Sequence, residues 1–234
     1  LGENLEELKQ NGFYDRSHTY LEKWNLKPTD IIHSFNSPIG TDGTVAVLRG
    51  NLAPEGSVVK HSAVPREMFR AVLRARPFDC EEDAIAAILS GSIHPGDAVF
   101  IRYEGPKGSG MPEMFYTTEA ISSDPELGKS IALITDGRFS GASKGPAIGH
   151  VSPEAAEGGP IALVEEGDLI RIDIPERILE ITGIKGRELP PEEVDRILSE
   201  RKKNLPPREP KYKKGVLKIY SEHAVSPMKG GYME

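Results

Sequence analysis

Short apolar runs, each closed by a turn rich in glycine, proline or aspartate, recur along this chain and predict β-strands. The predicted strands cover residues 44–48, 57–60, 98–103, 130–135, 161–164, 169–174 and 177–181. Apolar residues at helical spacing predict helices over 79–91 and 190–202, an N-terminal amphipathic helix and a single turn from Ser152. Residues 65–76 are basic and weakly helical in pattern. Together these elements indicate a compact β-barrel or sandwich flanked by helices, without the regular strand–helix alternation of a doubly wound sheet.

The stretch 133–145 stands out because an apolar run ends there in a loop crowded with reactive groups. This loop holds two serines, one aspartate, two cations and three glycines. Loops held on a rigid scaffold often carry chemistry, so the segment is the first candidate for a functional site.

Two glycine-rich segments resemble nucleotide-binding loops at first sight and differ from them in detail. A Walker loop requires Gly-Lys-Ser/Thr after four intervening residues, where segment 137–144 has Ala142 and Ser143 instead. In the segment that begins at 108, Glu113 stands where the dinucleotide fingerprint requires a third glycine. The sequence therefore matches neither nucleotide-binding motif.

Two residues in these glycine-rich segments remain candidates for a functional role, Ser140 as a nucleophile or base and Glu113 as a metal ligand. Ser140 is followed by glycine at a predicted strand end, but Arg138 replaces the first glycine of the Gly-x-Ser-x-Gly elbow. A serine hydroxyl needs an activator, and neither Asp136 nor Lys144 is the imidazole that hydrolase triads use. Glu113 follows a glycine-rich loop and suits a hard cation such as Mg²⁺, although a solvated carboxylate is the ordinary interpretation.

His150 and Cys80 are expected to be structural. A hydrogen-bonded structural histidine is the ordinary interpretation of His150. Cys80 is the one cysteine of the chain, and one cysteine cannot hold zinc or an iron–sulfur cluster without ligands from elsewhere. It stands where a helix is predicted to start, which lowers a thiol pKa, but its acidic neighbours oppose that effect.

The composition is that of an ordinary globular protein, with 38% hydrophobic and 28% charged residues and a net charge of −7. No block of lysine and arginine is long enough to argue for a nucleic-acid groove. No apolar run approaches the roughly 20 residues of a membrane span, and no signal peptide opens the chain. A soluble, cytoplasmic protein is therefore expected, and the start without methionine suggests part of something longer.

Four motifs in order resemble the C-terminal half of the dehydratase family that includes dihydroxy-acid, 6-phosphogluconate and sugar-acid dehydratases. They are RYEGPKG at 102–108, MPEM at 111–114, TDGRFSG at 135–141 and GHVSPEAAEGGPIALV at 149–164. Segments 49–56 and 167–173 are similar to further motifs of the family. The likeness covers nearly the whole chain, and residues 136–139 favour the dihydroxy-acid branch, which serves branched-chain amino-acid biosynthesis.

The resemblance implies an α/β fold, a swivelling mixed β-barrel flanked by helices and similar to the mobile domain of aconitase. On this basis residues 1–43 are expected to form an N-terminal helix and linker. Residues 44–203 would be the swivelling barrel domain, and residues 204–234 a C-terminal tail on the surface or on a partner.

The family reaction dehydrates a 2,3-dihydroxy carboxylate to a 2-keto acid, with an iron–sulfur cluster as Lewis acid and Mg²⁺ holding the substrate. By resemblance, Ser140 is the base that removes the 2-proton and Glu113 is a Mg²⁺ ligand. Ala142 and Ser143 stand where relatives have residues that contact substrate.

The resemblance also implies partners. The cluster cysteines and other Mg²⁺ ligands belong to an N-terminal domain absent from this sequence, and Cys80 matches none of them. The chain alone is therefore expected to bind no cluster and to be inactive, and the full-length enzyme to be a homodimer. Alternative functions are a sugar-acid or 6-phosphogluconate dehydratase, or a non-catalytic swivelling module that binds a partner or a small acid.

Overall fold

The computed structural model describes residues 2–141 and 143–234, and the side chains of 2, 3 and 5 are not described. The chain divides into two compact units, Leu1–Gly43 and Thr44–Glu234. The first unit contains helices α1 (Gly2–Gln10), α2 (Phe13–Lys23) and α3 (Pro28–Ile31). The aromatic segment that follows the predicted N-terminal helix is therefore a second helix, α2.

The second unit is built on a mixed sheet, nine-stranded in the part of the chain that the structure describes. Its strands are β1 (Ala46–Leu48), β2 (Gly56–Val59), β3 (Arg70–Phe78), β4 (Asp97–Ile101), β5 (Ala132–Thr135), β6 (Ala147–Ser152), β7 (Leu169–Asp173), β8 (Ile178–Ile184) and β9 (Arg187–Glu188). They lie in the order β1-β2-β6-β5-β4-β3-β7-β8-β9. The central strands β6, β5, β4 and β3 are parallel, and the flanking pairs are antiparallel.

Helices connect and cover these strands. They are α4 (Glu81–Leu89), α5 (Pro106–Ser109), α6 (Phe115–Ser122), α7 (Leu127–Ser130), α8 (Pro191–Lys203) and α9 (Val216–His223). From β3 to β5 the chain alternates strand and helix, as parallel neighbours require a crossover connection. The expectation that such alternation is absent is wrong for this central part of the sheet.

The weakly helical prediction for residues 65–76 holds for the 3-10 turn Arg66–Met68 and is wrong from Arg70, where β3 begins. Leu73 and Ala75 are buried while Arg70 and Arg74 are exposed, so the segment alternates with the period of a strand. Arg74 pairs with the buried Asp97 at 3.5 Å. The basic side chains of this segment therefore belong to a strand, and their charge concealed its alternating pattern in the sequence.

Two apolar cores lie on opposite faces of the sheet, as alternation along β4 and β5 dictates. Ala98 and Phe100 join a core that also contains residues of β1, β2, β3, β6, β7, β8 and α8. Val99 and Ile101 join a second core made with residues of α4, α6 and α7. Both faces of the central strands are therefore covered, which explains their nearly continuous apolar sequences.

The sheet curls until its first and eighth strands approach each other just after β1. Arg49 bridges Ile178, its N–H donating to the Arg177 carbonyl at 2.8 Å. The Asn51 amide then accepts from the Ile181 N–H at 2.7 Å and donates to the Ile181 carbonyl at 2.9 Å. The result is a curled, half-barrel mixed sheet with helices, which confirms the predicted α/β class.

Two local predictions near the end of β6 are wrong in whole or in part. Ser152 ends that strand, and the predicted turn begins later, as the 3-10 turn Ala155–Glu157 that ends at Gly158. The apolar run predicted as a strand at 161–164 is a 3-10 turn, Pro160–Leu163.

Among the described residues, no helix is long and apolar enough to cross a membrane.

Candidate active site

The candidate site lies where the parallel strands end. β4 and β5 run side by side with Ile101 opposite Thr135, so the loops that follow them leave the sheet at the same edge. β6 is parallel to β5, and residues 153–155 follow its end. The carboxyl-terminal edge of a parallel sheet is the usual place for ligand sites in such folds.

Asp136 connects these loops through hydrogen bonds to their backbone. Its buried carboxylate accepts the backbone N–H groups of Tyr103 at 3.1 Å, Glu104 at 2.9 Å and Ala155 at 2.8 Å. Burial raises the pKa of Asp136 to about 6, against the effect of these three hydrogen bonds. Because both of its oxygens bind backbone groups, Asp136 is a structural residue of the site rather than the activator of Ser140.

Glu154 likewise binds backbone N–H groups, in the segment that follows Glu104. It accepts the N–H groups of Lys107 at 2.9 Å and Gly108 at 2.8 Å, and burial raises its pKa to about 7. A Cβ on Gly105 would stand 2.5 Å from the Glu154 carboxylate. Gly105 therefore permits a close approach between the backbone of this loop and the Glu154 carboxylate.

Glu113, the predicted metal ligand, is exposed, and its backbone pairs with that of Arg138. The Met114 N–H donates to the Arg138 carbonyl at 2.9 Å, and Arg138 Nε donates to the Met111 carbonyl at 3.0 Å. Glu113 and Ser140, far apart in the chain, thus belong to adjoining segments. The described residues contain no group of three or more His, Cys, Asp or Glu side chains placed to hold a metal ion.

Ser140 is half-buried and lines a cavity of about 240 Å³. Ser143 lines the same cavity, and its N–H donates to the Ser140 carbonyl at 3.1 Å. The Ser143 hydroxyl is buried and has no hydrogen-bond partner among the described residues. Ala142, the other predicted substrate contact, lies outside the described residues.

His150 lines this cavity as well and adopts a left-handed backbone conformation with φ of 56°. Burial, helped by the charge of Arg138, lowers the pKa of its imidazole. These effects favour the neutral form of the ring. The sequence alone identified His150 only as a structural residue.

Lys60 is the cavity residue that sequence reasoning missed. It follows β2, and its ammonium donates to the Gly141 carbonyl at 2.7 Å across a separation of 81 residues. The Gly145 N–H donates to the carbonyl of nearby Ala63 at 3.1 Å. The segment after β2 thus holds both sides of the serine loop. In the sequence, this contact was indicated by the position of Lys60, a basic residue directly after the apolar strand β2.

Cys80 precedes α4 as its N-cap residue and is half-buried. Its thiol pKa is raised, chiefly by burial. A raised pKa disfavours the thiolate that metal binding and nucleophilic attack require.

The fold and these loops define an α/β domain with a candidate active site at the carboxyl-terminal edge of its parallel strands. The chain belongs to the family described as dihydroxy-acid/6-phosphogluconate dehydratase C-terminal, which matches residues 30–231. The resemblance of the motifs to this family is therefore confirmed.

Several curated relatives carry the name dihydroxy-acid dehydratase. The protein of Agathobacter rectalis is 55% identical over 205 residues, which cover 87% of this chain and 35% of the relative. That of Lachnoclostridium phytofermentans is 53% identical over 206 residues, 88% of this chain and 35% of the relative. Dihydroxy-acid dehydratase 1 of Methanosarcina acetivorans is 53% identical over 182 residues, 77% of this chain and 31% of the relative. The chain thus spans about a third of the length of the curated relatives it matches.

Proposed function

We propose that this chain is the C-terminal part of a hydro-lyase that dehydrates a 2,3-dihydroxy carboxylate to a 2-keto acid in branched-chain amino-acid biosynthesis. The names of the relatives support the reaction class. The observation that carries the assignment to specific residues is the backbone pairing of Glu113 with Arg138, two positions before Ser140. This pairing brings a metal-binding type of side chain and a candidate base to one edge of the sheet.

Ser140 acts as the base in this proposal. Its alkoxide takes the proton from C2, the electron pair forms the C2–C3 double bond, and the C3–O bond breaks. The departing hydroxide takes up the proton from Ser140 and is released as water, which restores the alkoxide. The resulting enol tautomerises to the 2-keto acid. Lys60 and Arg138 place positive charge in the same loop region, and nearby positive charge favours the ionised form of an acidic group.

Mg²⁺ fits Glu113, because an exposed carboxylate on a loop is a donor that a hard cation accepts. When bound, Mg²⁺ would stabilise negative charge on the substrate's carboxylate and 2-hydroxyl. Glu113 would be the one ligand from this chain, because the described residues contain no acidic cluster that completes the site.

An iron–sulfur cluster does not fit this chain. The sequence has one cysteine, and burial disfavours the thiolate form of Cys80. In the proposal the cluster is held by an N-terminal domain of the same enzyme, and the full-length protein is a homodimer. Residues 1–43 serve as linker, 44–203 as a swivelling barrel like the mobile domain of aconitase, and 204–234 as a tail.

The test is a chimera in which this chain replaces the matching C-terminal 35% of the Agathobacter rectalis relative. The chimera, purified without oxygen, should dehydrate 2,3-dihydroxyisovalerate, and the 234-residue chain alone should not. Ser140→Ala should lower kcat by about 10²–10⁴-fold, the usual contribution of a general base. The exposed Ser199→Ala on α8 is the matched control and should leave kcat unchanged.

Other results would redirect the proposal. Full turnover by the Ser140→Ala chimera would remove Ser140 from the mechanism. Faster turnover of 6-phosphogluconate or a sugar acid would favour another branch of the family, whose description includes 6-phosphogluconate dehydratase. A folded chimera that binds a small acid without turning it over would favour the non-catalytic binding module.

A further inference from the structure

The turn that carries Glu113 has a backbone conformation that its own sequence disfavours. Met111 has a φ of 58°, in the left-handed region that residues other than glycine rarely adopt. Pro112 follows it, and a proline favours extended conformations in the residue before it. Strained backbone of this kind persists only where the surrounding structure holds it, and it is common at functional sites.

Two hydrogen bonds hold the peptide groups of Met111. Its N–H donates to the Gly105 carbonyl at 3.2 Å, within the same glycine-rich loop. Its carbonyl accepts from Arg138 Nε at 3.0 Å, across a separation of 27 residues. The guanidinium of Arg138 is therefore the contact that ties this turn to the loop of Ser140.

Arg138 also holds the chain on the other side of Glu113. Its backbone carbonyl accepts the Met114 N–H at 2.9 Å, and its backbone pairs with that of Glu113. One residue thus binds the chain both before and after Glu113, and that residue stands two positions from Ser140.

The guanidinium of Arg138 leaves the Glu113 carboxylate available. Among the described residues, no ion pair joins Arg138 to Glu113 or to any other acidic side chain. Its positive charge acts instead on the imidazole of His150 and the phenol of Tyr220. Arg138 therefore binds the turn through a backbone carbonyl, and the carboxylate keeps its oxygens for a cation.

We propose that Arg138 is a positioning residue that fixes the Met111 carbonyl and thereby holds Glu113 where it binds the metal ion. The inference rests on the proposed function for the metal. Without this hydrogen bond, Met111 relaxes toward the extended conformation that Pro112 favours, and Glu113 moves with it. The fraction of molecules with Glu113 in place then falls, and the apparent affinity for the metal falls by the same factor.

The conformation of the turn can be measured on this chain alone, without a metal. The ¹³Cα and ¹³Cβ NMR shifts of Met111 report its backbone conformation. Arg138→Met removes the donor and should move these shifts toward extended values. Arg138→Gln places an amide N–H₂ where Nε stands and removes only the charge, so it should keep the wild-type shifts. Arg196→Met, which removes an exposed arginine on α8, should also keep them.

Metal binding is the second measurement. Mn²⁺ takes the same oxygen ligands as Mg²⁺, and EPR of the free ion gives its Kd for the chimera. Arg138→Met should raise this Kd about 10-fold, and Arg138→Gln should keep it within about 2-fold of the wild type. When Glu113→Gln is already present, Arg138→Met should raise the Kd no further, because Arg138 acts through Glu113.

Three results would each overturn the inference. They are unchanged Met111 shifts in Arg138→Met, equal losses of Mn²⁺ affinity in Arg138→Met and Arg138→Gln, and an effect of Arg138→Met that is the same with and without Glu113. A chimera that binds Mn²⁺ without dehydrating the acid would refute the proposed reaction and leave both measurements unaffected.

Discussion

Single residues near Ser140 show why sequence proximity is a poor guide to chemistry. Asp136 is four positions from Ser140, yet its carboxylate is occupied by three backbone N–H groups from other loops. Lys60, 80 positions away, is the residue whose ammonium reaches the serine loop. Local spacing therefore identified the loop and not the groups that act on it.

The buried carboxylates predict how stability depends on pH. Burial raises the pKa of Glu154 from 4.5 to about 7 and that of Asp136 from 3.8 to about 6. A raised carboxyl pKa means that the folded state binds more protons than the unfolded state between the two values. Their contribution is therefore fully present below about pH 4 and is lost as pH rises toward 7. His150 has the opposite sign, because its pKa is lowered.

Glu154→Gln isolates this effect, because it removes the charge and keeps a carbonyl oxygen for the Lys107 and Gly108 N–H groups. Urea unfolding at pH 5 and pH 8 should show that wild-type stability decreases more over this interval than that of Glu154→Gln. The expected difference is on the order of 2 kcal/mol. The exposed Glu192→Gln should behave like the wild type. Identical pH dependence in Glu154→Gln and the wild type would contradict this account.

The strands differ in how visible they are in the sequence. β4 and β5 are apolar runs closed by turns and were predicted, as were β7 and most of β8. β3 was missed because its exposed positions are arginines that pair with Asp97 and Asp173. β6 was missed because Gly149 and the left-handed His150 interrupt its apolar pattern. Local chemistry made Ser140 and Glu113 candidates, and the family resemblance supplied their roles. Periodicity could not bring their segments together, because that depends on the long-range pairing of Glu113 with Arg138.

Closure of the curled sheet depends on a glycine between β1 and β2. A Cβ on Gly50 would stand 2.2 Å from the Leu179 carbonyl oxygen, and the φ of Gly50 is +157°. Gly50→Ala should therefore separate the Arg49 and Asn51 contacts from β8. We expect a loss of about 2–4 kcal/mol in the free energy of unfolding.

Gly128→Ala on α7 is the control, because its nearest contact would be the Ile121 carbonyl oxygen at an ordinary 3.7 Å. Alanine is the better helix former, so this variant should be neutral or stabilised by up to about 1 kcal/mol. Chemical denaturation of both variants makes the comparison. Equal stability in Gly50→Ala and the wild type would show that closure of the sheet does not require the close contact between Gly50 and the Leu179 carbonyl.

At the scale of the molecule, residues 204–234 form a C-terminal strap across the second unit. The Arg208 guanidinium lies 3.6 Å from the centroid of the Tyr103 ring and pairs with Asp79 at 2.9 Å. Further along, Leu217 contacts the Cα side of Gly110, where an added Cβ would be 3.0 Å away. The strap thus contacts the loop between Tyr103 and Glu113, so we expect the position of the predicted metal ligand to depend on a distant part of the chain.

Lys211 is the attachment whose removal tests this dependence. Its ammonium pairs with the buried carboxylate of Glu104 at 3.2 Å, and Glu104 also accepts the Ser109 hydroxyl. Lys211→Met leaves that buried carboxylate without its cation, which should cost on the order of 2–4 kcal/mol. Hydrogen exchange of backbone amides in 104–114 should then accelerate, because local opening costs less.

Lys213→Met removes an exposed lysine from the same strap and breaks its exposed pair with Glu209. Such surface pairs contribute about 0–1 kcal/mol, so exchange in 104–114 should remain as in the wild type. Acceleration confined to Lys211→Met would tie the loop of Glu113 to the strap through Glu104. Equal protection in both variants would mean that the Asp136 and Glu154 contacts hold this loop without the strap, because these carboxylates bind its backbone directly.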